Sequence, residues 1–163
     1  MRLLVTFLTV AVLLIEISNA VQLDEASANQ LRSLEGLIGD AVSNIENLKV
    51  DLQEAVLYDE FHNPESVLSN VTRVIQKLQE ITSTTESLLL HSQFERYRTI
   101  IAAIRIINST CARMAIELER VRPIIGPGTL SDETQEKASD VSQHLNVGQV
   151  LLERYLAILM DTS

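Results

Sequence analysis

The chain is short of almost everything that catalytic, metal-binding and disulfide-stapled proteins are built from. It has one cysteine, Cys111, in 163 residues. A single thiol closes no internal disulfide and makes no multi-cysteine zinc site. It has no tryptophan, and aromatic residues make up 4% of it, so large stacking or ligand-caging surfaces are not expected. Only five glycines and three prolines occur, and no phosphate-cradling glycine loop can be drawn from them. The three histidines, His62, His91 and His144, are far apart and none has a second histidine or cysteine one helical turn away. There is no HExxH, no CxxC and no loop of alternating acids around a glycine. Asp59, Glu60, His62 and Asn63 cluster, and read as side chains at a helix end. Basic residues are also in deficit, 13 against 22 acids, a net charge of −9 that argues against nucleic acid and anionic membrane surfaces. No enzyme and no cofactor are expected.

What the chain does have is apolar rhythm. Leu31, Leu34, Ile38, Ala41, Ile45, Leu48, Leu52 and Ala55 alternate spacings of three and four. That pattern puts them on one narrow stripe of a long helix. Val67, Val71, Val74, Leu78, Ile81, Thr85 and Leu88 repeat it, although Thr82-Ser83-Thr84-Thr85 also admits a turn. Tyr97, Ile100, Ile104, Ile107, Cys111, Met114, Leu118 and Val121 make a third seam, widened by Ile101, Ala103, Ala112 and Ala115. Ala138, Val141, Leu145, Gly148, Leu152, Tyr155 and Leu159 make a fourth. Gly148 on that seam predicts close approach by another backbone.

Breakers divide the segments. Asn63-Pro64 ends the first, since proline disfavours helix in the residue before it. Pro123 to Gly128 separates the third from the fourth, whose cap is Thr129 or Ser131. Between the second and third, two capping boxes compete, Ser83 with Glu86 and Ser92 with Glu95; the later is preferred, and one bent helix from Glu65 to Arg122 stays open. The expected helices span about 23–61, 65–90, 93–122 and 131–160. Four such helices make an all-α, antiparallel four-helix bundle, with the first projecting beyond the others.

The first twenty residues stand apart. Arg2, the apolar run Leu3 to Ile15 and Ser18-Asn19-Ala20 have the form of a signal peptide, with cleavage between Ala20 and Val21. Glu16 ends the run before it could span a bilayer. No later segment reads as a membrane span, because Arg105 interrupts the most apolar stretch, Ile100 to Ile107. The protein is therefore expected to be secreted and extracellular, its remainder forming one domain over 21–163. Two glycosylation sequons follow, at Asn70 and Asn108, the second only about 60° from its helix seam.

Charge is unevenly spread. Residues 21–63 carry nine acids and two bases; residues 92–122 carry three acids and six bases, all arginine. Arg98, Arg105, Arg113 and Arg120 fall on the face opposite the third seam, a candidate interaction face for a carboxylate- or phosphate-bearing partner. A solvated or internally paired face is the plainer alternative. Cys111 could form an intermolecular bridge, but its place on the seam reads as a small buried hydrophobe. The leading expectation is a protein-interaction or self-associating module. A carrier of lipid or another hydrophobic ligand comes second, and a helical cytokine-like ligand third.

Overall fold

The computed structural model describes residues 24–90 and 97–162. The leader with its Ala20–Val21 junction, and His91, Ser92 and Glu95, lie outside them. Among the described residues four long helices form: α1 (Glu25–Tyr58), α2 (Pro64–Leu89), α3 (Arg98–Val121) and α4 (Asp132–Thr162), with one 3-10 turn, Arg122–Ile124, after α3. No named strand occurs among the described residues. The α1 helix packs against α2 and α4, and α3 packs against the same two, so α1 and α3 stand across the bundle from each other.

The apolar rhythm is the core. All eight residues of the α1 stripe are at most 1% exposed. Facing them are Val71, Val74, Leu78 and Ile81 of α2, Ile104, Ile107 and Leu118 of α3, and Leu145, Leu152 and Leu159 of α4, all buried in one cluster. Each buried Leu or Ile contributes about 1.5–3 kcal/mol by leaving water, so these seams hold the bundle together. Thr82 to Thr85 stays helical. Thr85 is fully buried, its hydroxyl donating to Thr82 O at 2.8 Å and accepting from Asn108 Nδ2 of α3 at 2.8 Å. The polar residue on the α2 seam is thus satisfied, which is what lets it be buried.

The helix ends differ from the sequence expectation for local reasons. The α1 helix stops at Tyr58, not at 61, because Asp59 takes the left-handed conformation (φ 59°, ψ 20°) as its C-cap. Asp is one of the few non-glycine residues that tolerates this conformation. Asp59 O then accepts from Leu130 N at 2.7 Å, and its carboxylate from Gln135 Nε2 at 2.6 Å. Pro64 does not end α1; it stands in the first turn of α2, behind the cap Asn63, whose side chain accepts from Ser66 N. The α3 helix is described from Arg98, preceded by a non-helical Tyr97 (φ −112°, ψ 75°) whose side chain packs against the core; the expected start at 93 lies outside the described residues. Ser131 caps α4 by accepting from Thr134 N at 3.2 Å, and Gly128 turns the preceding loop with φ 102°.

A further expectation is corrected. By length and composition alone, Arg98–Ile124 is apolar enough to cross a membrane. The cause is the wide apolar face: Ile and Ala flank the α3 seam on both sides. In the bundle that face lies against α2 and α4.

Candidate functional site

The four candidate arginines sit where the spacing puts them. Arg98, Arg105, Arg113 and Arg120 are all exposed on α3. Ala102, Ser109 and Ile116, also exposed, lie between them. Together the seven residues follow spacings of four, three, four, four, three and four, a continuous outer stripe about 33 Å long at 1.5 Å per residue. Ile116 is 62% exposed, an apolar side chain between Arg113 and Arg120 of the cationic stripe. Arg120 pairs with Glu117 at 3.5 Å on α3, and Arg122, just past its end, with Glu119 at 3.2 Å, both across three residues. Surface pairs of this kind contribute about 0–1 kcal/mol and exchange readily for a partner's carboxylates.

The stripe borders a groove between α3 and α4, of about 460 Å³. Its walls are Ile106 and Met114 of α3 and Val147 and Leu151 of α4, with Arg113 and His144 also lining it. Its floor is Gly148. The expectation at this glycine was a close backbone; the neighbour is instead a side chain. A Cβ at position 148 would overlap Met114 Sδ and stand 2.8 Å from Met114 Cγ. Gly148 is therefore small so that Met114, 3% exposed, can lie across it. His144 Nδ1 is hydrogen-bonded to Asp140 O at 2.8 Å, which fixes the ring.

On the other flank of α4 the seam with α1 is closed by a polar node that sequence reasoning missed. Lys49 is 9% exposed. Its Nζ donates to Gln149 Oε1 at 2.8 Å, Asn146 Oδ1 at 3.0 Å and Glu46 Oε2 at 3.1 Å. Hydrogen bonding from Gln149, then from Lys49, and the Lys49 charge hold the Glu46 carboxyl below its ordinary value. The only signal available beforehand was a base, one of two, inside an acidic helix.

Cys111 lies in the core and is 0% exposed; burial pushes its thiol up to about 12. The sequence left open an intermolecular bridge. With the bundle closed, the sulfur presents no surface to a second chain, and the thiolate that disulfide exchange requires is suppressed. The two sequons also differ in surroundings. Asn108 is half-buried and its Nδ2 donates to Thr82 O at 3.2 Å as well as to Thr85. Asn70 Nδ2 donates to Asp51 Oδ2 at 3.1 Å. A glycan on Asn108 displaces the node that satisfies buried Thr85; one on Asn70 displaces a single bond to a half-buried carboxylate.

Among the described residues no group of three or more His, Cys, Asp or Glu side chains is placed to hold a metal ion. At the end of α1, Asp59 is engaged by Gln135, Glu60 lies 3.6 Å from His62, and Asn63 caps α2. No family model matches the chain, nor does any curated protein or solved structure.

Proposed function

We propose that this protein is a secreted, non-enzymatic, antiparallel four-helix bundle that docks a carboxylate-bearing protein partner on the outer stripe of α3. The antiparallel order is supported by the cross-helix bonds. Asp40 faces Lys77 and Asp51 faces Asn70; Thr72 faces Arg122 and Thr85 faces Asn108; Lys49 faces Gln149 and Asp59 faces Gln135. In each helix pair one number rises as the other falls. Secretion is supported by the signal-like first twenty residues.

The observation that carries the docking role is the stripe itself. Four arginines on one exposed face of an otherwise acidic protein, interleaved with Ala102, Ser109 and exposed Ile116, combine charge with apolar contact. Arginine suits such a face because its planar guanidinium pairs bidentately with carboxylates. The partner is a second copy or another acidic protein; the chain's own nine acids between 21 and 63 make the first available.

The test is native mass spectrometry and sedimentation of the secreted protein at low and high salt, with Arg105→Glu/Arg113→Glu/Arg120→Glu as comparison. An oligomer or stoichiometric complex is expected that weakens with salt and is lost in the triple variant. A monomer that binds nothing under any of these conditions, or a complex indifferent to the triple variant, overturns the proposal.

A further inference from the structure

The α3–α4 groove is built unlike a seam awaiting another protein. The heptad position at its floor holds glycine, where Leu or Ile would close it. Met114 covers that glycine with the most adaptable of apolar side chains, so the floor can deform around a ligand. Val147, one wall, is 59% exposed and has apolar surface uncovered. The lining contains no Phe, Tyr or Trp, and its one ring, the His144 imidazole, is hydrogen-bonded to Asp140 O, so it forms no stacking cage for a flat molecule. Between Ile106 and Glu117 the groove follows α3 for about 16 Å. A volume of about 460 Å³ falls in the range of small-molecule sites.

Charge at the mouth is one-sided. Glu117, the only carboxylate of the lining, is engaged by Arg120. Arg113 makes no ion pair among the described residues. The groove therefore offers an aliphatic slot with one uncompensated guanidinium at its lip.

We propose that this groove binds a single-chain aliphatic amphiphile with an anionic head, its chain between Met114, Val147 and Leu151 and its head on Arg113. The proposal does not depend on protein docking at the stripe, although Arg113 belongs to both surfaces.

The test is calorimetric titration of the full secreted chain with decanoate, decanol and decyltrimethylammonium, each below its micelle concentration. Decanoate is expected to bind about tenfold or more tightly than the other two. Arg113→Gln should bring decanoate to the level of decanol. Gly148→Leu should abolish all binding; if that variant fails to fold, Val147→Asp serves in its place. Arg105→Gln, on the stripe but outside the groove lining, should leave decanoate binding unchanged, and that variant separates the groove from the protein-docking stripe. Equal binding of the three probes, decanoate binding unaltered by Arg113→Gln, or no heat from decanoate overturns the proposal.

Discussion

Gly148 and Gln149 are neighbours on α4, about 100° apart around the helix, and they do opposite things. Gln149 faces α1 and closes that seam by accepting from buried Lys49. Gly148 faces α3 and gives that seam no side chain of its own; Met114 lies across it. One flank of α4 is fixed by a directional polar node; the other is filled by a side chain with several rotamers. Polar nodes specify a register, because a shifted α4 would take Asn146 and Gln149 away from buried Lys49 and leave it only Glu46 of its own helix. A Met-over-Gly contact specifies little and yields easily. The difference assigns the two flanks different duties: α1–α4 holds the bundle in register, and α3–α4 is where something else can enter.

The largest way to break this comparison is at Lys49. Lys49→Met keeps most of the apolar stem but removes the charge, leaving Gln149, itself 9% exposed, without its donor. A loss of about 2 kcal/mol is expected, within the usual cost of an unsatisfied buried group. Urea denaturation of the wild type and the variant measures it. A change below about 0.5 kcal/mol would mean that the α1–α4 seam does not rely on the node.

Gly148→Ala sharpens the other side. In a helix, Ala for Gly should stabilise by about 1 kcal/mol. Here the added methyl meets the Met114 sulfur, so the gain is expected to disappear or reverse to about 1 kcal/mol of destabilisation. In a Met114→Ala background the same substitution should recover its stabilising sign. The double-mutant cycle from thermal or urea unfolding gives the coupling directly. Additive effects would show that Met114 does not depend on the missing side chain.

These two sites also show how far the sequence could be read. The seams were legible because burial of a helix stripe needs only the right spacing, and the spacing of Leu31 to Ala55 is written locally. The outward arginines were legible for the same reason. Lys49 was not. It lies one residue off the stripe, where a lysine can extend to water or turn inward, and Gln149 decides which from a hundred residues away. Gly148 was recognisable as an anomaly, but its neighbour was not, because only the packed α3 shows that Met114 stands opposite. The end of α1 escaped for a related reason. Asp59 leaves the helix where its carbonyl meets Leu130 and its carboxylate meets Gln135, and neither partner is local. The apolar stripe of the first helix is covered from Leu31 to Ala55.

The smallest expected effect tests whether the node's charge is felt at its rim. Glu46 is solvated, yet Gln149 and Lys49 hold its carboxyl below the ordinary value of 4.5. A carboxyl depressed in the folded state contributes stability that is fully present above its unfolded value. That contribution fades as pH falls through 4.5 towards the folded value. Glu46→Gln removes the ionisation but leaves an amide oxygen that can still accept from Lys49. The wild type should therefore exceed the variant by a small margin near neutral pH, and the two should converge on acidification below 4.5. Urea midpoints at several pH values between 7 and 3 measure this. A gap that stays constant through the acid range would show that Glu46 acts through geometry alone, and that the node's specificity resides in the buried Lys49–Gln149 bond rather than in its charge.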